Sequence, residues 1–376
     1  MKNYGRCSVS DFLGDYIVYR NLVPVDPNLP SLDELGPRVD LTPGMIPRKI
    51  EPIHSRVMIE LLTHARTIDA PGVSLERLVY LGDTRSSDGT CFSNLCHAAD
   101  LPGLAFICAE NKEAAGVEIQ KLDAGTLYLA NRWSMLSDFD AYCVDQDLAI
   151  DERTAVIVDV DKTALGARGR NDQVINRARL EAVRLTVGDL LGERFDEAAF
   201  EAAYDTLNQS AFHGLTADNQ DYLAYICLML GSGLYELEAL ITEVQAGKWM
   251  SFQQFIDGVE ARAAELPADL RGIHAQIYAN VRRGDPTPFK AFRYNEYRTT
   301  LAHMGSLPDG VAVEALLRDE IVLTQELREI ALKWQAQGAL LFGLSDKPDE
   351  ASLPSPEQAA QGMLPIHRAR THAVGT

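Results

Sequence analysis

In "AVIVDVDKTALGARGRND" an apolar run over residues 155–158 stops at an acid, and Asp159 and Asp161 then stand two positions apart with Lys162 and Thr163 directly behind. Two more segments have the same form, an apolar run followed by an acidic polar loop. "LVYLGDTRSSDGT" carries Asp83 and Asp88, and "ALLFGLSDKPDEAS" carries Ser345, Asp346, Lys347 and Asp349. In open α/β sheets, sites form where the carboxyl ends of strands converge. Carboxylates gathered there repel one another and need a cation or a proton. Hard oxygen donors of this kind suit Mg²⁺. Such an ion neutralises an incoming phosphate and leaves one aspartate free to attack phosphorus. Each piece alone also has an ordinary reading: a DxD after a strand is often a solvated loop, and GDxxxxD can be a turn with an Asx cap. Three such loops in one chain point together to a site.

The elements that position these loops follow from periodicity. "PIHSRVMIELLTHARTI" and "CFSNLCHAADL" repeat at helical spacing, whereas "LERLVYLGD", "GLAFICAE" and "TAVIVDVDKT" are short buried-strand runs. "GTLYLANRW" and "DFDAYCVDQDL" are ambiguous. Strands alternating with helices predict a parallel sheet and an α/β fold. From about Asp172 to Lys333 nearly every segment reads as helix, after which "TQELREIALKWQAQGALLFGLSDKPDEAS" returns to helix, glycine, strand and polar loop. A helical block is therefore expected inside an α/β domain. The first fifty residues are proline-rich and predict an extended or loop-rich leading segment.

"DVDKT" resembles motif I, DxDx(T/V), of the haloacid dehalogenase (HAD) superfamily, and "GDTRSSDG" resembles its acidic motif IV. The resemblance implies a Rossmann-like parallel sheet with a large inserted helical cap. It implies Asp159 as the nucleophile that forms an aspartyl-phosphate and Asp161 as general acid, then base. Mg²⁺ would be held by Asp83, Asp88, Asp159 and the backbone carbonyl of Asp161. "SDKP" resembles the end of the motif II strand, with Ser345 donating to a phosphoryl oxygen. Thr163, Lys347 and Arg168 are expected to meet substrate.

Motif IV ordinarily follows motifs I and II, yet here it precedes motif I by more than seventy residues. A circularly permuted core accounts for this, with Lys49 as the motif III lysine. The expected divisions are then residues 1–46 as leading segment, 47–165 as the first part of the core, 166–321 as the cap and 322–376 as the remainder. The competing arrangement keeps the conventional order. It makes Thr324 the motif II residue, puts Asp346 and Asp349 on the metal, and leaves the first 150 residues as a separate domain. "TQELREIALKW" reads better as a helix with Thr324 near its N-cap, which favours permutation.

The chain has 376 residues and a formal net charge of -19, which argues against general binding to nucleic acid or anionic membrane. No apolar run approaches the roughly 20 residues that span a bilayer, and the first residues lack the apolar core of a signal peptide. Cys7, Cys91, Cys96, Cys108, Cys143 and Cys227 show no CxxC spacing, so reduced, buried thiols in a cytoplasmic protein are expected. Cys91 and Cys96 with His97 read as core packing rather than a metal site. Arg168 and Arg170 meet either an anion or solvent. Lys290, Arg293 and Arg298 read as helix-surface charge ahead of substrate recognition, and the basic tail with His367, Arg368, Arg370 and His372 either folds over the site or frays. The expected function is a Mg²⁺-dependent hydrolase, a phosphatase acting on a small phosphorylated substrate. A HAD-like scaffold that binds a phosphorylated ligand or a protein partner without turnover is the alternative.

Overall fold

A computed structural model describes residues 1–376. The strands in chain order are β1 (Lys2–Cys7), β2 (Ile17–Val18), β3 (Arg77–Gly82), β4 (Gly103–Cys108), β5 (Val117–Leu122), β6 (Gly125–Ala130), β7 (Thr154–Asp159), β8 (Leu323–Thr324), β9 (Leu340–Leu344) and β10 (Thr371–Gly375). Seven of them form one sheet in the order β2-β9-β7-β3-β4-β6-β5. All neighbours pair parallel except β5, which adds to β6 as an antiparallel hairpin. Every residue of β4, β7 and β9 is buried, which is why these strands read as unbroken apolar runs rather than as alternations.

Helices cover the sheet. Helix α1 (Pro52–Asp69) starts with proline at its first position, where the missing N–H costs nothing, and buries Val57, Met58, Leu61, Leu62 and Ala65. Helix α2 (Asp88–Ala99) buries Cys91, Phe92, Leu95 and Cys96 and ends at Asp100 in the left-handed conformation. These two helices pack with alternate residues of β3, β4, β7 and β9 in one apolar core. Helix α3 (Leu136–Asp145) lies between β6 and β7 in the chain. Its Phe139 meets Phe106 of β4 and Tyr128 of β6 at ring centroid distances of 5.6 and 5.4 Å.

The chain forms two compact units, Met1–Arg177 with Thr300–Thr376, and Ala178–Thr299. It leaves the first within helix α4 (Asp172–Leu191) and returns within helix α5 (Lys290–Ala302). The second unit is entirely helical and has its own core, including Leu223, Ile226, Phe252, Phe255 and Ile256. Its span is narrower than the expected 166–321, because residues 166–177 and 300–321 are held by backbone and side-chain bonds to the sheet-bearing unit. Arg293 is a buried ion-pair centre there, not surface charge: it meets Asp221 through Nε at 2.7 Å and Glu296 at 2.5 Å. Lys290 pairs with Asp285, and Arg298 is exposed.

The ends of the chain differ from expectation. The leading segment is not merely extended: it supplies β1 and the edge strand β2. The basic tail forms β10, paired antiparallel with β1 and parallel with β8 in a three-stranded sheet. His372 is buried there on Glu320 and Asp309, and His367 on Tyr19 and Asp15. The tail does not fray: these two histidines have acidic or phenolic partners inside the fold. The six cysteines are buried and unbridged, as expected, and no helix is long and apolar enough to cross a membrane.

Candidate active site

β7 is flanked by β3 and β9, and the register sets three loops side by side. Leu81 pairs with Val158, and Asp159 pairs with Leu344, so the next residues outward are Asp83, Val160 and Ser345. Since the three strands are parallel, their carboxyl ends share one edge. Strands more than 250 positions apart in sequence thus deliver "GDTRSSDG", "DVDKT" and "SDKP" to the same place.

Asp83, Asp88 and Asp159 are all buried, and one carboxylate oxygen of each lies within 4.8 Å of the others. Lys49, just ahead of α1 and 5% exposed, spans two of them: its Nζ donates to Asp88 Oδ1 at 2.5 Å and to Asp159 Oδ1 at 2.6 Å. Burial works against a charged ammonium, but Asp159 and Asp88 outweigh it and raise the Lys49 pKa. The Thr163 hydroxyl donates to Asp159 Oδ2 at 2.8 Å.

The two aspartates of "GDTRSSDG" have different surroundings. Asp88 accepts from Lys49 and from the Tyr80 hydroxyl, at 3.0 Å, on Oδ1. On Oδ2 it accepts from the N–H groups of Asp83, at 2.9 Å, and Thr84, at 2.7 Å. Four donors fill the roughly four lone-pair sites of a carboxylate. Burial opposes its charge, but Lys49 and these hydrogen bonds prevail and lower its pKa. Asp83 accepts from the Thr84 hydroxyl, at 3.0 Å, and from the Arg168 guanidinium. Burial and the adjacent Asp88 push its carboxyl up to about 7, against the pull of Arg168. Asp159 is likewise raised by burial, despite Lys49, with Asp88 and Asp83 adding to the effect. Three buried carboxylates face two cations, Lys49 and Arg168, and the raised pKa values of Asp83 and Asp159 show that the site favours a further proton or cation to balance them.

The backbone builds this arrangement. A Cβ on Gly82 would lie 2.7–2.8 Å from the Asp88 carboxylate and Cβ, so only glycine lets Asp88 fold back over the end of β3. Beyond β7 the chain makes a tight loop, with Lys162 at φ 65° and Leu165 N–H returning to Val160 O at 2.9 Å. Arg168 is aimed by its own backbone, whose carbonyl accepts from Glu110 N–H at 3.1 Å and from the Trp133 indole at 3.3 Å. Gly169, at φ 77°, allows that approach, since a Cβ there would strike the Glu110 backbone at 1.9 Å.

Among the other expected residues, Asp161 is half-buried, two positions from Asp159. Ser345 is buried at the end of β9, where its Oγ accepts from the Lys347 N–H at 3.2 Å, and Lys347 is buried beside it. Asp346 and Asp349 lie outside the acidic cluster: Asp346 faces Arg20 at 3.5 Å, and Asp349 accepts from Asn21 N–H at 2.8 Å. Thr324 ends β8 of the three-stranded sheet rather than a strand beside β7, and its hydroxyl bonds the Thr163 carbonyl at 2.6 Å. Arg168 is not in a free solvated loop but paired to Asp83, and Arg170 is buried between Glu110 and Glu326.

No motif points to Tyr80, Thr84 or His54. For Tyr80 the available signal is a tyrosine two positions before "GD" in an otherwise aliphatic strand. His54 carries no signal: it is buried in the first turn of α1, and burial with nearby Lys49 pushes its pKa down to about 3. No family model, curated protein or solved structure matches the chain.

Proposed function

We propose that this protein is a Mg²⁺-dependent, HAD-like hydrolase of small phosphate esters with a circularly permuted core. The observation that carries the reading is Lys49 bridging Asp159 and Asp88, with Asp83 beside them. These are the residues that the resemblance assigned to the nucleophile, the lysine and the acidic motif, and they come from three distant parts of the chain. The sheet order supports permutation, because β3 precedes β7 in sequence yet flanks it opposite β9. The conventional arrangement would require Asp346 and Asp349 in the cluster and a separate N-terminal domain, whereas residues 1–150 supply five strands of the same sheet.

The donor set fits a hard divalent ion: hard oxygen donors, short mutual distances and carboxyl pKa values raised in part by neighbouring carboxylates, a repulsion that a cation would relieve. Asp83 and Asp159 keep free lone pairs and would hold the ion with the Asp161 carbonyl, while Asp88, with all its lone pairs engaged, holds Lys49 and the loop. When bound, Mg²⁺ would neutralise phosphate charge and polarise phosphoryl oxygens. A divalent ion and a phosphate dianion entering together leave the charge balance of the site unchanged.

In this reading the Asp159 carboxylate attacks phosphorus, and the ester oxygen leaves with a proton from Asp161. The phosphoryl group then rests on Asp159. Asp161, now ionised, takes a proton from the water that attacks phosphorus, and phosphate departs as Asp159 is restored. Lys49 and Thr163 fix the nucleophile, Lys49 also offsets phosphoryl charge, and Ser345 with Lys347 and Arg168 provides donors around the oxygens.

A Mg²⁺-dependent turnover screen over phosphate esters tests the function. We expect hydrolysis that Asp159→Asn reduces at least about 10³-fold while the fold persists. Binding of phosphorylated ligands without turnover by the wild type would establish the scaffold alternative instead.

A further inference from the structure

We infer that Thr324 is a positioning residue for Asp159, acting through Thr163. The inference rests on the reading of Asp159 as the nucleophile. Thr324 stands at the N-cap of the helix α6 (Gln325–Ala336), where a threonine ordinarily turns its oxygen onto the N–H groups of the first turn. Its side chain makes no such cap. The hydroxyl instead donates to the Thr163 carbonyl at 2.6 Å, so the helix forgoes a cap in favour of a bond to the loop that follows the nucleophile.

That bond belongs to a bracket along the whole loop. Thr324 N–H donates to Ala164 O at 2.9 Å, and Gly166 N–H donates to Val322 O at 2.9 Å. Leu165 forms an antiparallel bridge with Leu323. Asn171 accepts from Val322 N–H at 3.0 Å and donates to Leu317 O and Glu320 O. The bracket is itself anchored, because β8 is paired along β10 and β10 along β1.

Residue 324 therefore holds two consecutive carbonyls of the loop, those of Thr163 and Ala164. Thr163 passes the constraint on, since its hydroxyl donates to Asp159 Oδ2 at 2.8 Å while Lys49 holds Oδ1 at 2.6 Å. A carboxylate held at both oxygens has a fixed plane. Released at Oδ2, it can turn about its χ2, and its attacking lone pair leaves the line to phosphorus. Thr324, Thr163 and Asp159 are 1%, 0% and 4% exposed, so no solvent replaces a lost bond easily.

The test compares Thr324→Val, which keeps the shape and removes the hydroxyl, with Thr324→Ser, which keeps the hydroxyl. Misplacement of a reacting group by about 1 Å costs about 10²-fold, so Thr324→Val should lower kcat by about 10- to 100-fold. KM should hold within about twofold, since the substrate does not touch Thr324, while the Mg²⁺ requirement should rise modestly because Asp159 would also hold the ion. Thr324→Ser should recover kcat to within about threefold of wild type. Thr163→Val should match Thr324→Val, and the double variant should be no slower than the worse single one, as expected for residues in one chain of contacts. Full kcat in Thr324→Val overturns the inference. So does a loss that Thr324→Ser does not repair, or independent, multiplying losses in the double variant. If the wild type turns over no phosphate ester, the proposed function fails by itself, and crystal structures of the two variants decide the positioning role. The Thr163–Asp159 contact should be lost in Thr324→Val and kept in Thr324→Ser; its retention in both overturns the inference.

Discussion

Asp83 and Asp88 are chemically identical and five positions apart, and their partners give them different work. Asp88, with four donors and buried beside Lys49, holds the loop together. Asp88→Asn leaves the Lys49 ammonium with one anion fewer in a buried place. We expect a loss of about 3–5 kcal/mol, since breaking a buried pair strands its partner, read as a lower urea midpoint. Asp83→Asn should leave stability nearly unchanged and, on the proposed reading, raise the Mg²⁺ concentration needed for half-maximal activity by about tenfold or more, because a Mg²⁺ ion there would lose a carboxylate ligand. Equal effects of the two substitutions would remove this division of labour.

His54 gives a pH signature. Its folded pKa is about 3, held down by burial and then by Lys49, against about 6.5 in the unfolded chain. Between those values the unfolded chain binds the proton and the folded chain does not. Its contribution to stability is thus fully present above about 6.5 and is lost as pH falls toward 3, at up to about 1.4 kcal/mol per pH unit. Comparing urea unfolding of the wild type and His54→Leu from pH 7 to pH 4 isolates it. An identical slope in both proteins would show that His54 does not cause the acid sensitivity.

At the scale of elements, the decisive piece is the turn from β3 into α2. Gly82 lets the first residue of α2, Asp88, reach back over the strand end, and the two loop N–H groups then close on its carboxylate. Gly82→Ala places a methyl 2.7–2.8 Å from that side chain, which four hydrogen bonds hold in place. Overpacking of this kind costs about 1–3 kcal/mol, and it displaces the anchor of Lys49. Activity should therefore fall by more than the lost folded fraction explains, which denaturation curves and kcat on the same samples would reveal. Gly5→Ala is the control, since a Cβ there meets nothing within 4 Å although its φ is +85°. It should cost some stability through backbone strain and leave turnover per folded molecule intact.

For the whole molecule, the first and last strands pair antiparallel, with Lys2 opposite Gly375. Chain ends this close tolerate joining. A short hairpin linker from Thr376 to Met1, with the chain reopened between the exposed Gln146 and Asp147, would begin the protein just ahead of β7. The order would become "DVDKT", "SDKP", Lys49 and "GDTRSSDG", the conventional order of the resembled family. We expect a folded variant with turnover within about tenfold of the original, because the new ends fall in a surface loop; circular dichroism and activity check it. A fragment from Asp147 onward without the relocated residues should be insoluble, having lost β2 to β6. A folded, active fragment would sink the permuted reading.

The sequence by itself determined the pieces whose causes are local. β3, β4, β7 and β9 announce themselves as apolar runs because strands buried on both faces have no alternation to confuse, and α1, α2 and α6 as periodic runs. The acids at the strand ends were equally plain, since a charge directly after a buried run marks the point where the chain leaves the core. Tertiary structure decided which acids meet. The sheet order sets both "GDTRSSDG" and "SDKPDEAS" beside "DVDKT"; the side-chain packing at the strand ends then gathers Asp83 and Asp88 with Asp159, while Asp346 and Asp349 turn to Arg20 and Asn21. Pairing decided the short strands too: Leu323–Thr324 and Ile17–Val18 are two residues each, too brief for any period, and the tail of His and Arg becomes a strand because β1 and β8 stand on either side of it. The partners of Arg168 and Thr324 were hidden for the same reason. A side chain's local sequence fixes what it can bond, and only long-range packing fixes what comes within about 3 Å of it.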